Sequence, residues 1–152
     1  MKDVFAKLYE LMKSFYGSNL ADHLYGIDEK GEFSRNALYS TVGVIMLLTT
    51  IFGVALYYFF LNSYLNTARY SKGRWWAGVL LACLGFNFFM GFYLPYLDKD
   101  NGNIVNVKIA ESVGNQQFIG FGFANLIWSL LLFLILSFSL KRWSTNASTT
   151  PF

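Results

Sequence analysis

The sequence is short of charge, and the shortage is concentrated. Three long stretches contain no Asp, Glu, Lys, Arg or His at all: Asn36 to Ala68, Trp75 to Leu97 and Phe118 to Leu140. Only 14% of the chain is charged, against about 25% in an ordinary soluble domain. A charge-free helix of such length is apolar on every face and finds no stable place in water. The same absence removes the intramembrane carboxylates on which proton relays and ion-coupled transport usually depend. With one cysteine, Cys83, no internal disulfide is available. With one histidine, His23, and no thiol cluster, a transition-metal site has almost no ligands. Cys83 sits in an apolar run and reads as a small buried hydrophobe. His23 sits in polar sequence and reads as a surface or loop residue. The net charge of +3 is too small, and too scattered among short loops, for a nucleic-acid surface.

What the chain has in quantity is apolar: it is 55% hydrophobic and 20% aromatic over 152 residues, the length of one domain. A bilayer core takes about 20 apolar residues as a helix. The three runs therefore predict transmembrane helices over 34–68, 75–97 and 118–140. The remainder divides into an N-terminal region (1–33), a basic loop RYSKGR (69–74), a polar loop (98–117) and a basic, polar tail (141–152). Trp75 and Trp76 open the second run and Trp143 follows the third, where interfacial tryptophans belong. Pro95 suits a second helix that stops at the interface.

In the N-terminal region Val4, Leu8, Leu11 and Phe15 recur at helical spacing. Phe5, Tyr9, Met12 and Tyr16 widen that stripe, and Asp3, Lys7, Glu10, Lys13 and Ser14 lie opposite. This predicts an amphipathic helix lying on the membrane interface or on a neighbouring subunit. Gly17 ends it, and a second short helix is expected over 18–27. Asp3 and Glu10 interrupt the first turns and no cleavage pattern follows, so no secretory leader is expected and the mature chain is expected to begin at Met1. Further on, Val105, Val107 and Ile109 alternate with Asn106, Lys108 and Ala110, a strand pattern over Ile104–Glu111. A lone hairpin is marginal in water, so this strand is expected to pair with Phe92–Leu97 or with its equivalent in another copy. The expected fold class is an all-α membrane protein: three spans, an N-terminal amphipathic helix and a small extramembrane strand or hairpin, assembled as a homo-oligomer.

Three spans put the N-terminus and the 98–117 loop on one side. The other side carries Arg69, Lys72, Arg74, Lys141 and Arg142, against Lys30, Arg35, Lys99 and Lys108. The positive-inside rule then favours a cytoplasmic C-terminus by a single charge. Lys2, Lys7 and Lys13 reverse that count if the N-terminal helix lies close to the membrane.

No Ser/His, paired-Asp or zinc set is assembled within the spans, so no catalytic, metal or cofactor site is expected. The chemistry left is neutral. Asn62, Asn66 and Arg69 follow one another by a turn at the end of the first span, Asn87 sits midway in the second, and Asn125 and Ser129 are i, i+4 in the third. Thr49 and Thr50 lie mid-span in the first. Such groups either hydrogen-bond helix to helix or line a water-filled path in an oligomer. Gly78 and Ala82, followed by Gly85, and Gly120 and Ala124 give spacings at which helix backbones approach closely. Asp98-x-Asp100 beside Gly102 fails as a calcium loop, because Ile109 stands where the twelfth-position Glu is required.

The short length, the three apolar helices (Ala37–Asn66, Trp75–Leu97, Phe118–Leu140), the amphipathic start and the lack of enzymatic residues make a build similar to the small multi-pass membrane effectors of bacterial anti-phage systems. The membrane components of Hailong, Kiwa and some nucleotide-signalling systems are examples. The resemblance implies an oligomeric channel that depolarises the bacterial inner membrane when a cytoplasmic regulator or small-molecule trigger acts. It carries over no individual residue. Three uncharged helices do not enclose a path alone, so four or more copies are expected around it. The other reading is a non-conducting membrane adaptor, immunity factor or assembly subunit of a larger complex.

Overall fold

A computed structural model of the chain describes residues 2–27, 37–64, 73–101 and 111–141. Every regular element among these residues is a helix. The N-terminal segment forms α1 (Lys2–Glu10) and α2 (Lys13–Tyr25). The first span is α3 (Leu38–Ala55), which runs on into a π-helical segment, Leu56–Tyr64. The second is α4 (Gly73–Asp100) and the third α5 (Asn115–Lys141). All three are long and apolar enough to cross a membrane.

The single amphipathic helix expected over the first turns is broken. Met12 leaves helical geometry at φ −112°, ψ 18°, and separates α1 from α2. Gly17 then takes φ 81°, ψ 166°, a conformation essentially confined to glycine, and divides α2 into two helical pieces, the stop and the second short helix expected there. Gly26 closes the second piece. Its left-handed backbone lets its N–H reach the His23 carbonyl at 2.9 Å, while the Ile27 N–H reaches the Asp22 carbonyl at 3.1 Å. That pair of bonds is a Schellman close.

The breaks fold the N-terminal segment back on its own chain. α1 packs on α3, and α2 packs on α5 and α3. The inward face is Ala6, Tyr9, Tyr16 and Leu20, all buried, with Phe5 and Met12 packed against them. Val4, Leu11 and Phe15, the expected apolar stripe, are exposed. The residues flanking that stripe meet helices of the same molecule.

The three spans form a bundle in which α5 touches α2, α3 and α4. Four of the close approaches have a glycine in them. A Cβ on Gly91 of α4 would lie 3.1 Å from Cα of Gly122 on α5, so this pair marks where the two backbones cross. Gly53 of α3 takes the Cys83 thiol of α4 against its backbone, and Gly43 takes the ring of Phe5. Gly120 of α5 takes the carbonyl of Phe15.

Two boundary expectations change. Pro95 does not end the second span, since α4 continues through it to Asp100 with Pro95 buried on the bundle side. The residue four before it, where a proline ring crowds the preceding turn, is a glycine, Gly91. One of the two partners expected for the strand is corrected: Phe92–Leu97 is helical within α4, and Glu111, the part of the strand that is described, is helical too. Ile104–Ala110 lies outside the described residues.

Candidate functional site

Most of the buried polarity of the described residues lies on one hydrogen-bonded line, which begins under the N-terminal helices. Tyr9, Tyr16 and Tyr39 are almost completely buried around Phe121. Tyr9 stacks on Tyr39 with centroids 5.6 Å apart, and Tyr16 and Tyr39 meet Phe121 edge-on at 5.2 and 5.8 Å. Tilted and offset aromatic pairs of this kind add about 0.5–1.5 kcal/mol each beyond their area. Their hydroxyls are placed as carefully as their rings. The hydroxyls of Tyr16 and Tyr39 bond each other at 2.9 Å, and the Tyr16 hydroxyl lies 2.9 Å from the Tyr9 carbonyl, to which it donates. Burial holds the Tyr9 hydroxyl far above its ordinary range, with Tyr16 adding to the shift. Burial pushes Tyr16 up to about 12, against the pull of its bond to Tyr39, with Glu10 adding. Both are therefore neutral donors at any ordinary pH.

The line continues into the bundle. The Tyr9 hydroxyl donates to Oδ1 of Asn125 at 2.5 Å, and Nδ2 of Asn125 donates to the backbone carbonyl of Asn87 at 2.6 Å. Nδ2 of Asn87 donates to Oγ of Ser129 at 2.7 Å and lies 3.4 Å from Oγ1 of Thr50. Thr50 and Ser129 are 3.2 Å apart, and the Thr50 hydroxyl donates back to the Met46 carbonyl at 2.7 Å. All four side chains are fully buried. One side chain from α3, one from α4 and two from α5 thus close on one another near mid-span, with the N-terminal segment reaching in through Tyr9. The Asn87 amide oxygen is the one atom of this cluster without a partner among the described residues. Towards the far end, Phe133 separates this cluster from a second one, where the Trp76 ring packs on Phe133 at 5.7 Å and its Nε1 lies 3.4 Å from the Ser137 hydroxyl. Tyr57 and Tyr58 from the π-helical segment are buried in the same apolar cluster.

At the covered end, His23 corrects the sequence reading. It is buried, not in a loop, and its Nε2 stands 3.0 Å from Oδ2 of Asp98, tying α2 to the end of α4. Asn19 donates to the Ser112 hydroxyl at 2.9 Å, and the Lys99 ammonium donates to the Val113 carbonyl. The N-terminal helices, the end of α4 and the approach to α5 are thereby knitted together.

The predicted site residues part company. Asn87, Asn125 and Ser129 come together, inside one protomer. Asn62 falls in the π-helical segment, its side chain outside the described part, and Asn66, Arg69 and Trp143 lie outside the described residues. Gly120 and Ala124 are buried against the N-terminal segment and its neighbours, whereas Gly78, Ala82 and Gly85 face outward, and a Cβ at Gly78 or Gly85 would meet nothing. Trp76 turns its ring inward, and Trp75 is half-buried. Sequence reasoning missed Tyr9, Tyr16 and Tyr39, and also the Gly91–Gly122 crossing. The signal for the tyrosines was Asn125 itself, because a mid-span amide needs a partner and Tyr9 is one of the few residues long enough to supply a hydroxyl from outside the spans. Among the described residues no group of three His, Cys, Asp or Glu side chains stands together. No known protein family, curated protein or solved structure matches the chain.

Proposed function

We propose that this chain is a membrane-embedded assembly subunit, which acts by associating with further membrane-spanning chains, first of all copies of itself, and not by catalysis. One contrast carries the reading. Three of the polar groups that would have hydrated a path, Asn87, Asn125 and Ser129, are closed on each other inside the protomer, while the face of α4 bearing Gly78, Ala82 and Gly85 stands open. Small residues on a lipid-exposed helix allow a second backbone to approach. The test is mass measurement in mild detergent with crosslinking in membranes. Higher-order species weakened by Gly85→Leu support the reading, and a protomer of 17.4 kDa that never crosslinks removes it.

A second reading has its own support. The π-helical end of α3 contains Asn62, the first of the three residues that the sequence spaces by a turn, and π segments are over-represented at functional sites. On this reading several copies surround a path between protomers, as in a pore-forming effector of the bacterial inner membrane released by a cytoplasmic regulator or small-molecule trigger. Planar-bilayer currents abolished by Asn62→Leu, in an oligomer otherwise intact, select it over a non-conducting subunit.

The same packing supports one orientation. Lys2, Lys7 and Lys13 lie on helices packed against the bundle. They therefore count as flanking charges, and the positive-inside margin reverses. The proposed arrangement has the N-terminus in the cytoplasm and the C-terminal tail outside, which reporter fusions at Gly102 and at the C-terminus distinguish.

A further inference from the structure

Beneath α1, between α3 and α5, runs a groove of about 350 Å³. Phe5 and Leu8 roof it, Met46 and Leu47 form one wall, and Leu131 and Ile135 form part of the other. Its one side-chain N–H, Nε1 of Trp128, has no partner among the described residues. The geometry points to a bound phospholipid, one of whose acyl chains is held in this groove under the N-terminal helix.

The volume falls within the roughly 300–1,000 Å³ of small-molecule sites. Water is a poor occupant, because an ordered water needs about two to four polar partners and the groove offers one. A helix with its side chains is about 10 Å across, so it would lie over this groove where a single hydrocarbon chain lies in it. A hydrocarbon chain fits the section and the chemistry, and the walls belong to two helices that are long and apolar enough to cross a membrane. The roof sets this groove apart from ordinary lipid-facing surface. α1 is held down by Tyr9 and Asn125, so a chain beneath it exchanges less freely than one against the open face of α4.

The full chain is purified in mild detergent and examined by native mass spectrometry. The expected result is a protomer carrying a single phospholipid mass, with the adduct reduced about tenfold or more by Leu131→Trp, which fills the groove. Leu81→Trp, on the exposed side of α4, leaves it unchanged. Because a filled variant can fail to fold, a photo-crosslinking residue at Ile135 supplies an independent reading, and a phospholipid adduct there supports the site. No retained lipid, equal retention in both tryptophan variants, or crosslinking at Ile135 to protein in place of lipid overturns it.

Discussion

Helix α4 has 28 residues and α5 has 27; both are apolar and both carry small residues at helical spacing, yet 17% of the apolar core of α4 is buried against 33% of that of α5. The glycines show why. Gly120 of α5 lies against the backbone of Phe15, where no side chain fits, and Gly122 lies against Phe88, where even a methyl group is tight. Gly78 and Gly85 of α4 have open space where a Cβ would stand. The same spacing serves the inside of the protomer on one helix and its outside on the other. In a membrane protein, then, small-residue spacing says that a helix can be approached closely, not by what.

The widest predicted gap between the helices is at Gly120. A methyl group there collides with the Phe15 carbonyl, which belongs to a backbone and does not rotate away. Gly120→Ala should cost about 3 kcal/mol or more, at or above the upper end of overpacking effects. It should also release α1 and α2, read as a lower unfolding midpoint together with early protease cleavage within residues 4–27. An unchanged midpoint would mean that α5 is no more constrained than α4, and the comparison would fail.

The asparagines make the next test. Asn125 of α5 accepts from Tyr9 and donates to the Asn87 carbonyl, so Asn125→Leu strands a buried phenol hydroxyl and takes one partner from that carbonyl. Unpaired groups cost about 1–3 kcal/mol each, but interhelical polar contacts in membranes average only about 0.6. A loss of about 1–2 kcal/mol is expected, coupled to Tyr9→Phe in a double-mutant cycle. Asn87→Leu on α4 should cost less, about 0.5–1 kcal/mol, because Thr50 and Ser129 still have each other and the Asn87 amide oxygen had no partner to lose. The reverse order in chemical unfolding would make α4, not α5, the spine.

These residues also show what the sequence could and could not tell. The three spans were legible because hydropathy integrates over a whole helix and no single residue decides it. The inward face of the N-terminal segment was not. Periodicity ranked Val4, Leu8, Leu11 and Phe15 as one stripe and treated Tyr9 and Tyr16 as its flanks. The deciding contact was long-range, a phenol hydroxyl on residue 9 meeting an amide on residue 125. His23 failed likewise, since its partner Asp98 lies at the end of another helix and nothing local announces it. Asn87, Asn125 and Ser129 were legible as polar groups needing partners, but their spacing fits both a lumen and a bundle interior.

Tyr16 extends the comparison to pH. Burial favours its neutral form in the fold, raising it to about 12, above the ordinary value of about 10. A raised value means stability that is complete below about pH 10 and lost as pH climbs through about 12. Absorbance at 295 nm should therefore show fewer ionised tyrosines at pH 11 in the folded protein than in the denatured one. Detachment of the N-terminal helices from α5, followed by protease sensitivity, should begin only above about pH 10. A transition near neutrality would show that some other group controls the contact.

The smallest effect on the protomer is expected at the other pole of the comparison. Gly78→Leu and Gly85→Leu add side chains into open space on α4, so protomer unfolding should move by less than about 0.5 kcal/mol, as at surface positions. It should move, if at all, in the stabilising direction, because leucine is a better helix former than glycine by up to about 1 kcal/mol. A second chain that comes close to α4 there has the opposite requirement, since added bulk holds the backbones apart. The two measurements therefore separate. Stability unchanged with crosslinked oligomer lost assigns the open face of α4 to assembly. Stability and oligomer both unchanged leave that face to lipid, with any assembly relocated to α3 or its π-helical end. Stability lost by more than about 1 kcal/mol would mean that Gly78 and Gly85 are packed within the protomer after all, and the difference between α4 and α5 would disappear.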